Sequence, residues 1–283
     1  MTEARHQTSA LVLAARRTGV VDPLTAGGPV SHKCMLTIHG QIMIERVIAS
    51  LLDSGCCRHV YVSIDDESVL RNGERLRDWL DAGQVSAIAA EGNLADSMYT
   101  AAQRIPDERW PLLITTGDNA LHTPPLIREF VTGAFAEPCN AALGLTREEV
   151  VTADIPDAGL HWHRLRGGGF SSCNLYLMHN RKSLRAVEIF RGGGQFGKKP
   201  WRILQACGVL PFVLYKFKLA TAEGLFHRVS RNLGLTLRPV FLPFSFGPID
   251  VDNPRTFALC ERILAQRETT AAAAPSSSSA GRA

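Results

Sequence analysis

Apolar runs of the roughly 20 residues that span a bilayer are missing from this 283-residue chain. Residues Met1–Ala10, with Glu3, Arg5, His6 and Gln7, also lack the apolar core of a secretory signal. The chain therefore reads as cytoplasmic, or at most peripheral at an inner membrane face. Zinc-type spacing is absent: Cys34, Cys56, Cys57, Cys139, Cys173, Cys207 and Cys260 form no C-x-x-C pair and no cluster with histidine. An odd number of cysteines cannot all pair within one chain, which fits reduced thiols. A strong charge of one sign is lacking as well, since 31 Lys+Arg against 27 Asp+Glu leave only +4. That balance excludes a broadly basic nucleic-acid binder and confines any basic function to a local patch. Neither a G-x-S-x-G elbow nor a Cys-His nucleophile signature occurs, and there is no internal repeat.

What is present is an ordinary globular composition: 45% hydrophobic and 20% charged residues exclude a disordered, collagen-like or coiled-coil chain. The first half alternates short apolar runs with amphipathic segments. Leu11–Ala15, His59–Ile64, Val85–Ala89 and Pro111–Thr116 are predicted strands. A helix starting at Ile44, and helices over Glu67–Leu80, Leu94–Arg104 and Pro124–Phe135, fall between or after them. Strands spaced by helices of this length predict right-handed crossovers and a three-layer α/β/α domain with a mostly parallel, Rossmann-like sheet. Ligands gather at the carboxyl ends of such strands. In the second half Asn140–Thr146, Cys173–Met178 and Thr236–Leu242 read as strands. Lys182–Phe190, Gly197–Cys207 and a closing segment to about Gln266 read as helices. One domain over 1–268 is expected, with an Ala/Ser-rich disordered tail at 269–283.

Three strand-end segments carry the right chemistry for one site. The loop from Ala14, Ala15, Arg16 and Arg17 to Ser31, His32 and Lys33 has small residues that let backbone N–H groups approach a phosphate, and a lysine at its far end. An incidentally basic surface loop would read the same way. Asp118 follows an apolar strand directly, where a carboxylate can hold a Mg²⁺ that bridges phosphates; a helix cap is the other reading. Asp250 and Asp252, two residues apart, share a face if the segment is extended. Both could then point at one Mg²⁺, although Asp252 or Asn253 could instead cap the helix that begins near Pro254.

Together these pieces resemble the MobA-like nucleotidyltransferases of the GT-A fold. The resemblance runs over about residues 9–267 and rests on Leu11–Ala15, Lys33-Cys34-Met35-Leu36, Asp118 and Ile249-Asp250-Val251-Asp252-Asn253-Pro254. It implies attack by a substrate phosphate on the α-phosphorus of a nucleoside triphosphate, with pyrophosphate leaving. Lys33 would neutralise the triphosphate, Asp118 and Asp252 would hold Mg²⁺, and Asn93 to Ser97 would contact the nucleotide. Arg16 or Arg17 would supply the phosphate contact of a first loop that departs from the family's glycine-rich form. His32 stands where the family has proline.

Between Arg191 and Arg231 eight basic residues (Arg191, Lys198, Lys199, Arg202, Lys216, Lys218, Arg228, Arg231) face one acidic, Glu223, and interleave with Trp201, Leu210–Tyr215, Phe217 and Phe226. The 191–231 insertion fits contact with an anionic membrane surface, or a lid or dimerisation hairpin with a basic rim. Gly167–Gly169 and Gly192–Gly194 would serve as turns or hinges, and Asn174 as an acceptor contact. The expected partners are a triphosphate, CTP slightly ahead of GTP because a membrane-leaning insertion suits CDP-alcohol lipid precursors, and a phosphorylated alcohol, sugar, cofactor or lipid. A GT-A glycosyltransferase and a non-catalytic nucleotide-binding protein of the same fold are the alternatives; against the first, no D-x-D stands at Asp118.

Overall fold

The structure, a computed structural model, describes residues 6–16, 19, 21–188 and 208–273. Strand β1 (Thr8–Leu13) leads through a long loop and a 3-10 turn at Lys33–Met35 into a small hairpin, β2 (Thr37–Ile38) and β3 (Gln41–Ile42), and then α1 (Met43–Asp53). Next come β4 (Cys57–Ile64), α2 (Glu74–Asp81), β5 (Val85–Ala89), α3 (Leu94–Arg104), β6 (Leu112–Thr116), α4 (Pro124–Phe135), β7 (Ala141–Arg147) and α5 (Glu148–Asp154). The hairpin β8 (His163–Leu165) and β9 (Gly168–Met178) is followed by α6 (Arg185–Glu188), α7 (Val209–Lys216), α8 (Ala222–Leu233), β10 (Leu237–Phe241) and α9 (Pro254–Ala273).

The main sheet has the order β10-β7-β9-β6-β1-β4-β5, with β8 paired to β9. β4, β1 and β6 pair in parallel, as do β4 with β5 and β7 with β10, while β9 runs antiparallel between β6 and β7. The three layers follow from the two-residue period of β1. Ala10 and Val12 turn to one face and pack with Val47, Ile48, Ile127 and Phe130 of α1 and α4. Leu11 and Leu13 turn to the other and pack with Ala101 and Ala102 of α3 and with Leu184 and Val187 around α6. Each Val, Leu, Ile or Phe side chain taken fully out of water contributes about 1.5–3 kcal/mol, which explains why β1, apolar from Ala10 to Leu13, lies inside the sheet.

The mostly parallel α/β/α sheet is as predicted, but several elements differ. The helix predicted over Glu67–Leu80 is a 3-10 turn at Glu67–Asn72 followed by α2, broken at Gly73. Gly73 is extended there (φ −90°, ψ 134°), and a Cβ on it would stand 2.6 Å from Glu45 Oε1 of α1. β9 starts five residues earlier than Cys173, because Gly167 and Gly168, both at positive φ, close a hairpin that adds β8. In place of a helix from Lys182, a 3-10 turn at Arg181–Leu184 precedes the short α6. α9 continues to Ala273, into the segment read as a tail. Arg17, Gly192–Gly194, the helix predicted over Gly197–Cys207 and residues 274–283 lie outside the described residues. No helix among the described residues is long and apolar enough to cross a membrane.

Candidate active site

The carboxyl ends of β1, β4 and β6 bring Ala14–Arg16, Asp65 and Gly117–Asp118 to one edge of the sheet. The Lys33 turn reaches this edge by close packing. A Cβ on Gly117 would lie 3.2 Å from Cys34 Cβ and 3.3 Å from Ala14 Cβ, so glycine is what lets the end of β6 press against the turn that carries Lys33. Cys34 itself is buried and its thiol is pushed up to about 12 by that burial, which makes it a packing residue and not a nucleophile.

Lys33 Nζ donates to Asp118 Oδ2 at 2.6 Å and to Asp252 Oδ1 at 2.9 Å. Burial works against its charge, yet the two carboxylates more than offset this and hold the amine well above its ordinary range. Thr116 Oγ1 donates to Asp118 Oδ1 at 2.5 Å, and the amide of buried Asn119 donates back to Thr116. The Val251 N–H donates to the Asp118 carbonyl at 3.0 Å, stitching the 249–252 segment to the end of β6.

That segment carries no regular secondary structure, but its burial alternates as predicted. Ile249 and Val251 are fully buried with Ala120, Leu121, Leu259 and Cys260, so Asp250 and Asp252 turn the other way. One oxygen from each of Asp118, Asp250 and Asp252 lies within 4.8 Å of the others. Capping falls to Asn253, whose Oδ1 accepts from the N–H groups of Arg255 and Thr256, which leaves the Asp252 carboxylate free for the site. Asp250 is pushed up to about 7, first by burial and then by Asp118 and Asp252 beside it. A hard, all-oxygen donor set whose members repel one another, with only Lys33 between two of them, fits a divalent cation such as Mg²⁺.

Asn174 joins this group through a bulge. Between Leu143 and Leu145 of β7 the partner β9 runs from Tyr176 to Ser172, two residues more than β7, and Asn174 lies within this bulge at φ 52°. Its amide donates to Asp250 Oδ2 at 3.0 Å and to Asn119 Oδ1 at 3.4 Å. The residue expected to touch an acceptor therefore orients a carboxylate.

The remaining expected residues are spoken for differently. Arg16, expected at phosphate, pairs with Asp65 through its backbone N–H at 3.0 Å and its guanidinium at 2.8 Å. The N–H of Ala14 donates to Ser63 O, and Ala15 follows it half-buried. Asn93 caps α3, accepting from Ala95 and Asp96, and the Ser97 hydroxyl donates to Glu91 O. Both stand at the start of α3, which packs against β1, and no contact among the described residues joins them to the carboxylates. Sequence reading missed Thr116, Asn119 and Asp65. Asp65 carried the same signal as Asp118, an aspartate directly after an apolar strand.

Residues 10–194 match the model of the MobA-like NTP transferase domain family. None of the curated protein sequences matches this chain. Among solved structures, a hypothetical transferase from Thermus thermophilus is similar at 20% identity and TM-score 0.70, over 89% of this chain and 99% of the other. The 4-diphosphocytidyl-2C-methyl-D-erythritol synthase of Anaerococcus prevotii shares 11% identity at TM-score 0.56, over 92% and 99%. A CMP:2-keto-3-deoxy-manno-octonic acid synthetase in complex with CTP shares 15% at TM-score 0.56, over 92% and 100%. At these identities the three support the fold.

Proposed function

The chain belongs to the MobA-like NTP transferase domain family, and from that premise we propose that it joins a nucleoside triphosphate, CTP ahead of the others, to a phosphorylated acceptor with release of pyrophosphate. The observation that carries this reading is the convergence of Asp118, Asp250 and Asp252 on Lys33 at the carboxyl edge of the sheet.

Phosphoryl-type substitution at the α-phosphorus needs in-line placement and charge stabilisation more than covalent help. Asp118, Asp250 and Asp252 would hold Mg²⁺, which when bound neutralises phosphate charge. Lys33, a fully charged amine tethered by two carboxylates, would exchange part of that contact for triphosphate oxygens as they arrive. Thr116 and Asn174 fix the Asp118 and Asp250 carboxylates in rotation, so the donors are set before the ligand enters. Arg16 would reach phosphate only by leaving Asp65. CTP is favoured because two fold relatives are a diphosphocytidyl synthase and a CTP-bound synthetase, and because a basic, apolar insertion suits a cytidine-activated alcohol.

Thermal unfolding with CTP, GTP, UTP or ATP, each with and without Mg²⁺, tests the reading in the wild type and in Asp118→Ala. A ligand at about 100 times its Kd stabilises by about 2.7 kcal/mol, which moves the midpoint by several degrees at ~2–4 °C per kcal/mol or somewhat less for this length. A Mg²⁺-dependent shift with one triphosphate, lost in the variant, is the expected result. Pyrophosphate release with phosphorylated acceptors then separates a transferase from a protein that binds nucleotide without turnover. No shift with any triphosphate overturns the proposal.

A further inference from the structure

Among the described residues six large apolar side chains are more than half exposed, and four of them fall between 209 and 219: Val209 at 66%, Leu210 at 59%, Phe217 at 63% and Leu219 at 58%. α7 is apolar on every side, yet within it only Pro211 is buried. Soluble surfaces scatter such residues singly, so their concentration marks a contact face. The charges beside them are of one sign. Lys216 and Lys218 are exposed and alternate with Phe217 and Leu219, and no acidic residue occurs from Gly208 to Ala222. Lysines interleaved with bulky apolar groups match the interface of an anionic bilayer, where apolar side chains enter the acyl boundary and ammonium groups meet the headgroups.

The fold puts this prominence at the working end of the sheet. Tyr215 Oη lies 2.8 Å from His163 Nδ1 on β8, and the Arg166 N–H donates to Ala220 O at 3.0 Å. Tyr215 also packs with Leu165, Phe170 and Leu145. Phe170 pairs in register with Arg147, the last residue of β7. Because β7 and β6 both run antiparallel to β9, the carboxyl end of β7 is the end at which Asp118 stands.

We propose that the 208–219 prominence docks this protein on an anionic lipid surface, with the carboxylate site at the same end of the sheet. Resting on the function proposed above, this makes the acceptor an amphiphile with a phosphate headgroup, presented at the bilayer and not drawn from bulk water.

The test is co-flotation of the full chain with phosphatidylcholine vesicles, with and without phosphatidylglycerol, at low and at raised ionic strength. Three proteins are compared: wild type, a Phe217→Ser/Leu219→Ser variant and a Lys216→Glu/Lys218→Glu variant. Far-UV spectra and the Mg²⁺–nucleotide thermal shift report whether each variant keeps its fold and site. The wild type is expected to float with phosphatidylglycerol vesicles and to detach as salt is raised, and each variant to lose at least about tenfold in partitioning. Absence of flotation, or flotation equal in all three proteins, overturns the proposal. So does a wild-type dimer in sedimentation that Phe217→Ser/Leu219→Ser dissociates, which would assign the face to a second copy of this chain. Vesicle binding is read without turnover, so its failure and the failure of the transferase reading are separate results.

Discussion

His32 Nε2 lies 3.0 Å from Asp65 Oδ1, and the same carboxylate takes the backbone and guanidinium of Arg16. Asp65 therefore clasps both ends of the long loop between β1 and the Lys33 turn. Ser31 Oγ, 2.9 Å from His32 Nδ1, completes the line. A buried imidazole bonded on both nitrogens thus fixes the approach to Lys33. Asp65→Ala is expected to raise KM for the triphosphate by about tenfold with a smaller change in kcat, the signature of lost positioning. Unchanged KM and unchanged melting would mean that the loop is held by other contacts. The carboxyl is held down to about 2: burial would raise it, and the hydrogen bonds from Arg16 and His32 outweigh that. Its contribution to stability is present above pH 4 and is lost as pH falls toward 2, amounting to roughly 1–2 kcal/mol after discounting for its partial exposure.

Gly117 is the second test, because its role is steric. Alanine would need Cys34 and Ala14 to give by a few tenths of an ångström; valine would have to push the Lys33 turn away from β6. Gly117→Val is expected to destabilise by about 1–3 kcal/mol and to cut kcat/KM by at least tenfold through the Lys33–Asp118 contact, with Gly117→Ala intermediate. Urea unfolding and steady-state kinetics on the two variants check this ordering. Full activity in Gly117→Val would show that the turn and the strand end move independently.

How much of this was legible follows from the kind of signal each feature leaves. β1, β4, β5 and β6 were readable because continuous apolar runs bounded by polar helices have one economical arrangement, a parallel sheet covered on both faces. Asp118, Asp250, Asp252 and Lys33 were readable as residue types, and the capping reading of Asp252 fell only when the Asn253 side chain was seen to take the cap. The bulge at Asn174 left no periodic trace, since two extra residues in β9 keep its side-chain alternation and look like ordinary sequence until its partner β7 is known. The break at Gly73 was equally hidden: the apolar period continues through it, and the packing of that glycine against Glu45, Leu76 and Ile42 is visible only in the fold. Arg16 read as a phosphate ligand because Asp65, 49 residues away, does not appear beside it in sequence.

Asp250 is largely withdrawn from solvent and has the Asn174 amide as its partner. Asparagine at this position keeps a carbonyl oxygen for Asn174 and removes one of three crowded charges. Asp250→Asn is expected to melt higher than the wild type in the absence of Mg²⁺, and to lose both the Mg²⁺-dependent gain in melting temperature and at least about a hundredfold in activity. Differential scanning calorimetry with and without Mg²⁺ reads the first two effects. A variant that melts lower than the wild type without the metal would show that Asp250 is held by structure and not strained by its neighbours.

His122, four residues past Asp118, is buried with Nε2 3.2 Å from Gly247 O, and burial pushes its pKa down to about 4. An imidazole that stays neutral in the fold while the unfolded chain takes up a proton near pH 6.5 ties stability to acid. Its contribution is fully present above pH 6.5, declines as pH falls through that value, and is lost by about pH 4, on the order of 3 kcal/mol. This window is distinct from that of Asp65, which lies below pH 4. His122→Gln retains a donor for Gly247 and cannot be protonated, so its urea midpoint should vary less than the wild type's between about pH 7 and pH 4.5, although it is lower at neutral pH from imperfect packing. Parallel pH profiles for the two proteins would place the acid sensitivity elsewhere in the fold.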